Sequence, residues 1–327
     1  MDNIFTIDVH EAFMSRALEL AKQGRGLVSP NPMVGCVLIK DGEMIGEGYH
    51  GEFGGPHAEI MALRNSRKDP VDSIAYVNLE PCCISGKTPP CTEALIQNGI
   101  SEVFIGILDP NPEVNGKGVQ ELEKVGITVH VGIMENESFK LNQAFHKWIT
   151  TGLPWVIAKV AQSANGYMGL NSDTSIWLTG DESRKHTHTL RSKVDAVLIG
   201  RQTALIDNPS LTIREVSGKN PKRIILDTNR TLPLSLNIFQ DKKAETIVLC
   251  SKNRFTQSKT HFCNYLPVKE ENKKLSPLHS LKTLADQGIT SVLVEGGQEV
   301  LRSYISENVI DQIYIYTSPE KLDGAHL

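Results

Sequence analysis

Apolar residues in the first half of the chain recur at two different spacings. The segment 8–23 repeats them every three to four positions, which predicts an amphipathic helix. The run VGCVLIKDGEMIGEGYH predicts two strands joined at Asp41-Gly42, because an Asp-Gly pair between apolar runs favours a tight hairpin. Further helices are predicted over 57–66, 91–99, 119–124 and 135–148, and strands over 74–79, 102–108 and 127–131. This alternation predicts a layered α/β domain.

The stretch TTGLPW, residues 150–155, has the Gly and Pro punctuation of a domain boundary. It divides the chain into domains 1–150 and 151–327. In the second domain, apolar runs predict strands over 155–161, 196–200, 223–227, 246–249, 291–295 and 312–316, with helices between several of them. The polar stretch 251–276 has weak periodicity and is predicted to be loop-rich surface. The second domain is therefore also predicted to be α/β.

Composition and charge narrow the class of protein. A chain of 327 residues can bury two cores without covalent help. Its N-terminus lacks a basic region leading into an apolar run, and no stretch reaches the roughly 18 apolar residues of a membrane span. A net charge of −4 disfavours a general nucleic-acid binder. We expect a soluble, cytoplasmic protein with no membrane or nucleic-acid partner, for which a small anionic substrate remains open.

The loop LEPCCISGKTPPC, residues 79–91, holds three of the six cysteines. In a reducing compartment such a cluster more often binds metal or takes part in catalysis than forms disulfides. The other three cysteines, Cys36, Cys250 and Cys263, stand alone and are predicted to be packing residues.

Zinc-dependent removal of an amine from a pyrimidine needs an imidazole, two thiolates, an open position for water and a carboxylate that moves protons. His57, Cys82 and Cys91 supply the ligands, and Glu59, two residues after the histidine, supplies the carboxylate. Cys91 opens a predicted helix, whose dipole favours its thiolate. The alternatives are a four-ligand structural zinc site and a plain loop in which Cys83 completes a chance cluster. The order H-x-E, then P-C and a second Cys, favours the deaminase.

Several blocks resemble the bifunctional riboflavin-biosynthesis deaminase/reductase family. In the first half these are SPNPMVGCVLIKDGEMIGEGYH, GGPHAEIMAL, LEPC, GKTPPC and DPNPEVNGKG. In the second half they are DAVLIG, TALIDNPSLTIR, ILDTNRTLP and VEGG, in the family's order. Eight residues separate Cys82 from Cys91, where the usual zinc deaminase has two, and this spacing is part of the resemblance.

The resemblance implies a cytidine-deaminase-like three-layer domain followed by a dihydrofolate-reductase-like α/β domain. It implies Zn²⁺ and NADPH as cofactors, and a homo-oligomer. The implied first reaction is deamination of 2,5-diamino-6-ribosylamino-4(3H)-pyrimidinone 5′-phosphate. The second is reduction of 5-amino-6-(5-phosphoribosylamino)uracil to the ribitylamino product.

The family's site residues carry over by position. His57, Cys82 and Cys91 would bind zinc, and Glu59 would carry protons. Contacts to the deaminase substrate would come from Asn31, His50 and Lys87. Contacts to the reductase substrate would come from Ser175, Arg191, Leu211, Arg214 and Glu295, and contacts to the nicotinamide cofactor from Ser163, Trp177, Thr203, Asp207, Gly296 and Gly297. As alternatives, Asn31 and His50 serve as turn and core residues, Gly296-Gly297 as a turn, and Trp177 as a core aromatic.

Some positions depart from the family pattern. Ile84 stands where a substrate-facing His is common, and SANGY replaces S-L-D-G-K/R with Asn165 and Tyr167. The chain stops at SPEKLDGAHL, short of the family's usual C-terminal strands, which predicts a sheet edge that a partner must cover or that lowers stability. These departures favour a second hypothesis, a deaminase with a silent reductase-like domain. A non-catalytic zinc protein is a further alternative, which Glu59 disfavours. A deaminase of nucleic-acid bases is another, which the net negative charge disfavours.

Overall fold

The computed structural model describes residues 6–84, 89–168, 180–256 and 263–322. The chain divides into two compact units, Met1–Thr151 and Gly152–Leu327. Each unit has its own sheet and its own core. In the described ranges no helix combines the length and apolarity that crossing a membrane requires.

The first unit is built on a five-stranded sheet in the order β2-β1-β3-β4-β5. Its elements are α1 (Ile7–Ala21), β1 (Gly35–Lys40), β2 (Glu43–Tyr49), α2 (Ala58–Arg64), β3 (Ile74–Val77), α3 (Cys91–Gln97), β4 (Glu102–Ile105), α4 (Lys117–Lys124), β5 (Thr128–Val131) and α5 (Glu135–Thr151). Strand β1 is antiparallel to β2 and β3, whereas β3, β4 and β5 are parallel. The predicted hairpin is confirmed: Asp41 and Gly42 both have positive φ, as a tight hairpin turn requires.

Helices cover both faces of this sheet. Cys36 and Leu38 of β1 pack in one apolar cluster with residues of α2, α3 and α4. Val37 and Ile39, which alternate with them, pack in a second cluster with residues of α1. The strands are therefore buried on both sides, and the predicted three-layer arrangement is confirmed. Gly48 has to be glycine here, because a Cβ would lie 2.5 Å from the backbone nitrogen of Ala62 in α2.

The second unit is built on a seven-stranded sheet in the order β10-β9-β8-β7-β13-β6-β14, with parallel pairing throughout. Its strands are β6 (Trp155–Gln162), β7 (Ala196–Gly200), β8 (Lys222–Leu226), β9 (Thr246–Ser251), β10 (Asn264–Val268), β13 (Ser291–Val294) and β14 (Gln312–Thr317), with β11 (Glu270–Glu271) and β12 (Lys274–Leu275) in a separate hairpin. Its helices are α6 (Asp181–Arg191), α7 (Arg201–Asp207), α8 (Asn237–Gln240), α9 (Pro277–Ala285) and α10 (Gln298–Ser306). Apolar clusters lie on both faces, as a parallel sheet requires.

The structure corrects the sequence-based prediction in two places. The stretch 251–276, predicted to be loop, contains β10, which pairs with β9, and the β11–β12 hairpin. Its polar composition hides these strands, because β10 lies at a sheet edge with one paired side. Strands β3 and β4 end at Val77 and Ile105, earlier than predicted.

Strand β14 forms the edge of the seven-stranded sheet opposite β10. It exposes Ile313 and Ile315 on one face, at 47% and 59% of their surface.

Candidate functional site

Three elements of the first unit bring the predicted zinc ligands together. His57 is the N-cap of α2, Cys91 is the first residue of α3, and Cys82 lies in the loop after β3. Their ligand atoms all lie within 4.8 Å of one another. His57 Nδ1 lies 3.3 Å from Cys91 Sγ and 3.5 Å from Cys82 Sγ. One imidazole and two thiols are a donor set that suits zinc and leaves a fourth position open.

The two thiols differ in acidity. Hydrogen bonds from the Cys91 thiol, the His57 ring and the Cys91 backbone N–H lower the pKa of Cys82 to about 4. The hydrogen bond between the Cys91 thiol and the Cys82 sulfur, together with burial, raises the pKa of Cys91. The sequence-based expectation was that the helix dipole of α3 helps to hold Cys91 as one of two thiolates. In the structure the backbone N–H of Cys91 points at the Cys82 sulfur, 3.4 Å away, so this helix N-terminus also favours a thiolate at Cys82.

Glu59 lies beside the ligands without being one of them. It stands in the first turn of α2 and is buried, with 3% of its surface exposed. Burial, followed by the nearby Cys82, raises the pKa of its carboxyl group. Its Oε2 atom has no hydrogen-bond partner among the described residues. A buried carboxyl oxygen without a partner, beside an incomplete ligand set, fits a proton carrier for a metal-bound water.

The positions of the other cysteines bear on the two alternatives, a four-ligand structural zinc site and a chance cluster that includes Cys83. Cys83 is not part of the group formed by His57, Cys82 and Cys91. None of the six cysteines forms a disulfide. Cys36, Cys250 and Cys263 are buried, as predicted for packing residues. The described residues therefore offer three ligands and not the four of a closed structural site.

A cavity of about 400 Å³ opens onto the ligands. Asn31 and His50 are joined by a 3.1 Å bond between Asn31 Nδ2 and His50 Nε2, and His50 Nδ1 donates to the Pro56 carbonyl at 2.9 Å. Burial lowers the pKa of His50, so the ring is neutral and Nε2 accepts from the Asn31 amide. Ile84 also lines the cavity. Lys87 lies outside the described residues.

Sequence reasoning missed a carboxylate that holds one wall of this cavity. Glu80 is buried and accepts from the backbone N–H groups of Asp109, Gly116 and Val119 at 3.1, 3.0 and 3.3 Å. Asp109 lines the cavity with Asn111, and burial raises the pKa of Asp109 to about 6. The sequence signal for this wall was the block DPNPEVNGKG, in which Asp and Asn occur among residues typical of turns.

Replacing Glu80 with Gln is expected to loosen this wall. A carboxylate that accepts three N–H groups loses its charge, and hydrogen bonds to charged groups contribute about 1.5–3 kcal/mol each. We expect the free energy of unfolding to fall by about 2 kcal/mol, measured by urea denaturation, and KM for the deaminase substrate to rise. Glu113→Gln, an exposed carboxylate of the same loop, is the matched control. An unchanged KM in Glu80→Gln would remove Glu80 from the site.

In the second unit, Arg191 and Glu295 form a buried ion pair. Arg191 Nε and Nη2 lie 2.6 and 2.7 Å from the two Glu295 oxygens, and Nη1 donates to the Thr212 carbonyl at 3.0 Å. The side chains are 12% and 9% exposed. The pKa of Arg191 is raised, because attraction to Glu295 and their hydrogen bonds outweigh burial. Two predicted substrate residues are thus brought together at the carboxyl end of β13.

Lys159 lies beside the Arg191–Glu295 ion pair, and the sequence analysis did not identify it. The β13–β6 register pairs Val294 with Ala158, so the next positions, Glu295 and Lys159, are neighbours. Burial lowers the pKa of Lys159, opposed by the charge of Glu295. Its ammonium lies 5.7 Å from the centre of the Tyr316 ring on β14. A lone lysine within the apolar strand WVIAKVAQ was the available signal, since a buried charge needs a partner or a function.

Gly296 and Gly297, which follow β13, would let a ligand approach the protein backbone closely. A Cβ on Gly296 would lie 2.5 Å from Ile199 Cα, so the chain passes tightly over the end of β7. Gly297 has φ +51° and would place a Cβ 3.2 Å from Thr203 Oγ1. α10 begins at the next residue. Two side-chain-free positions before a helix suit the phosphates of a nicotinamide dinucleotide, and Thr203 lies beside them.

The remaining predicted residues are more dispersed. Ser163 is fully buried, and its hydroxyl donates to Asn165 Oδ1 at 2.7 Å. Asn165 binds both the carbonyl and the N–H of Leu322, so its amide nitrogen has a use that Asp could not fill. The others lie in α7 and the chain that follows: Asp207 and Arg214 are exposed and Leu211 is buried with φ +51°. Ser175 and Trp177 lie outside the described residues.

Family models match both halves of the chain. Residues 7–107 match the cytidine and deoxycytidylate deaminase zinc-binding region, and residues 154–325 match the RibD C-terminal domain. The riboflavin biosynthesis protein RibD of Aquifex aeolicus is 40% identical over 316 residues, covering 96% of this chain and 88% of the relative. The Escherichia coli RibD protein is 35% identical over 326 residues, covering 95% and 88%.

Solved structures agree with these matches. RibD of Acinetobacter baumannii superposes with a TM-score of 0.87 at 37% identity, covering 97% of this chain and 89% of that one. A diaminohydroxyphosphoribosylaminopyrimidine deaminase/5-amino-6-(5-phosphoribosylamino)uracil reductase from Thermotoga maritima gives the same TM-score and identity, covering 98% and 89%. The predicted resemblance, with its zinc deaminase and reductase domains, is confirmed. This chain belongs to the RibD family of bifunctional deaminase/reductases of riboflavin biosynthesis.

Proposed function

We propose that residues 1–150 deaminate 2,5-diamino-6-ribosylamino-4(3H)-pyrimidinone 5′-phosphate. Residues 151–327 then reduce 5-amino-6-(5-phosphoribosylamino)uracil to its ribitylamino product with NADPH. The observation that carries the proposal is the meeting of His57, Cys82 and Cys91 beside a buried Glu59 whose Oε2 is unpartnered. The named activities are those of the Thermotoga relative.

In the first reaction Glu59 is the proton carrier. A zinc ion held by His57, Cys82 and Cys91 would supply an acidified water, with its pKa lowered toward ~7. Glu59 takes one proton of the attacking water and delivers it to the ring nitrogen. It then takes the proton of the hydroxyl group added to the ring carbon and passes it to the amine, so that the carbonyl forms as the C–N bond breaks and ammonia leaves. The raised pKa of Glu59 suits both directions of transfer.

Substrate contacts in the cavity come from two kinds of group. Asn31 and His50, already joined to one another, present an amide and a neutral imidazole. Lys87 supplies a cation suited to the substrate phosphate. Ile84 adds an apolar contact where an imidazole is common in the family.

In the second reaction the charged group around Glu295 holds the sugar. The chemistry that bound NADPH supplies is a hydride for C1′ of the opened ribosylamino group. Arg191 orients Glu295 through their paired hydrogen bonds, and Lys159 is the adjacent cation able to give a proton to the sugar oxygen. Gly296, Gly297 and Thr203 receive the cofactor, with Ser163, Trp177 and Asp207 as further contacts. Ser175, Leu211 and Arg214 complete the substrate contacts.

The two activities are separable in one experiment. Zinc-loaded protein is mixed with the diaminopyrimidine substrate, first without and then with NADPH. We expect ammonia release without NADPH, and loss of NADPH absorbance only after deamination has occurred. Ammonia release with no NADPH consumption or binding would favour a deaminase with a silent second domain. The observation that keeps this alternative open is Asn165, which replaces a carboxylate of the family pattern and is bound to Leu322.

We also propose a cytoplasmic homo-oligomer. The support for an oligomer is β14, an edge strand that exposes Ile313 and Ile315. Sedimentation of the purified protein as a single protomer at micromolar concentration would contradict it.

A further inference from the structure

The segment 211–214 carries two of the proposed contacts to the reductase substrate, Leu211 and Arg214. It belongs to neither a helix nor a strand. Leu211 has φ +51°, a backbone conformation that a bulky side chain disfavours. Because no ladder of backbone hydrogen bonds holds this segment, its shape depends on the side chains that bind its backbone groups.

Two side chains of α6 bind the backbone of this segment. Arg191 Nη1 donates to the Thr212 carbonyl at 3.0 Å, and His188 Nδ1 accepts from the Arg214 N–H at 3.3 Å. Residues three positions apart are neighbours on a helix surface, so one face of α6 makes both bonds. The N–H of the residue between them donates to Asn220 Oδ1 at 2.9 Å. Three successive residues are therefore held by three side chains from outside the segment.

His188 can hold Arg214 only while its ring is neutral. An N–H that donates to Nδ1 needs a lone pair on that nitrogen, so the ring proton lies on Nε2. His188 is 5% exposed, and burial lowers its pKa, as do the positive charges of Arg191 and Arg214. The carboxylates of Glu215 and Glu295 oppose this effect. The balance favours the neutral, accepting ring at neutral pH.

The bond to His188 fixes the point from which the Arg214 side chain projects. Arg214 is exposed, so its guanidinium can reach a ligand while its own backbone N–H is bound beneath it. A proton on Nδ1 would remove the acceptor and place a third positive charge beside Arg191 and Arg214. The segment would then lose one of its three outside bonds at the residue that contacts the substrate.

We propose that His188 is a positioning residue of the reductase, whose neutral ring holds the Arg214 backbone and so aims the Arg214 side chain at the aminouracil substrate. This inference rests on the proposed reduction. It adds a residue that the sequence analysis did not identify, and it makes substrate affinity depend on the charge of one buried imidazole.

The test is steady-state reduction of the aminouracil substrate by the full protein, comparing wild type with two variants. His188→Leu fills the space but leaves the Arg214 N–H without its acceptor. We expect KM for the aminouracil substrate to rise about tenfold, the effect of one lost hydrogen bond, with kcat and KM for NADPH little changed. His188→Asn carries an oxygen on the same Cγ atom that carries Nδ1 in histidine, and it should restore most of the affinity.

The pH dependence gives a second readout. Wild-type KM for the aminouracil substrate should rise toward the acid end of a series from about pH 5.5 to 8.5, as His188 takes up a proton. The phosphate of the substrate titrates in the same range for every variant, so the ratio of wild-type KM to that of His188→Asn isolates the histidine. This ratio should increase as the pH falls. His186→Asn changes an exposed histidine of the same helix and is the matched control.

Three outcomes would overturn the inference while leaving a working reductase. One is an unchanged KM in His188→Leu, and another is a KM ratio that does not vary with pH. The third is a His188→Asn protein more impaired than His188→Leu, because a ring that only fills space is better replaced by Leu. A wild type that oxidises no NADPH would refute the proposed reduction instead. Calorimetric Kd values for the aminouracil substrate would then decide the role of His188, and a wild type that does not bind it would overturn that role as well.

Discussion

Replacing Glu59 with Gln is expected to lower the rate of ammonia release about a hundred- to ten-thousandfold, the usual contribution of general acid–base catalysis. Gln has nearly the same shape, but it cannot take a proton from water or return one to the leaving amine. The carboxylate is buried and lies outside the ligand group, so the metal should still bind. Rates are measured by ammonia release from the diaminopyrimidine substrate at saturating zinc.

Three controls accompany the Glu59 variant. Its zinc content should equal that of the wild type, and its NADPH-dependent reduction of the aminouracil substrate should be unchanged, because that reaction is assigned to the other unit. Glu93→Gln removes an exposed carboxylate from the first turn of α3 and should leave both reactions intact. A Glu59→Gln protein that deaminates at the wild-type rate with full zinc occupancy would exclude Glu59 as the proton carrier.

Replacing Glu295 with Ala is expected to abolish reduction and to destabilise the second unit. Arg191 would keep its bond to the Thr212 carbonyl but lose both carboxylate partners in a site where it is 12% exposed. Removing one member of a buried ion pair typically costs about 3–5 kcal/mol, because the other charge is left uncompensated. The expected result is a lower denaturation midpoint for one of the two units, with loss of NADPH oxidation and normal ammonia release.

Two further variants separate stability from function at this pair. Arg191→Met combined with Glu295→Leu replaces the pair with apolar side chains, which is often neutral for stability, so it should restore the midpoint without restoring reduction. Glu299→Ala removes a carboxylate of α10 whose side chain is 83% exposed and should change neither property. Recovery of reduction in the double variant would mean that Glu295 only supports the fold.

The chemistry of the first unit could be predicted from the sequence because its residues are rare types in a specific order. His57, Glu59, Cys82 and Cys91 were assigned from spacing and from the needs of zinc chemistry, and the structure brings the three ligands within 4.8 Å. The layered α/β arrangement followed from helix and strand periodicity, and its three-layer form was implied by the family resemblance. The hairpin followed from Asp41-Gly42, because local conformational preferences at that pair decide the turn.

Other features depend on contacts between residues far apart in the chain. The acidity of Cys82 arises from the Cys91 N–H and thiol, and the pairing of Arg191 with Glu295 joins residues 104 positions apart. Strand β10 became a strand because β9 offers an edge, which its polar sequence does not signal. Lys159 and Glu80 gained their roles from neighbours in other elements.

The sequence by itself determined the family, the two α/β halves and the zinc ligands, since these follow from residue types and short-range spacing. The tertiary structure alone decided that the Cys91 N–H reaches the Cys82 sulfur, that three backbone N–H groups bind the Glu80 carboxylate, and that Arg191 pairs with Glu295. Burial and hydrogen-bond partners set these properties, and both are created only when distant segments pack together.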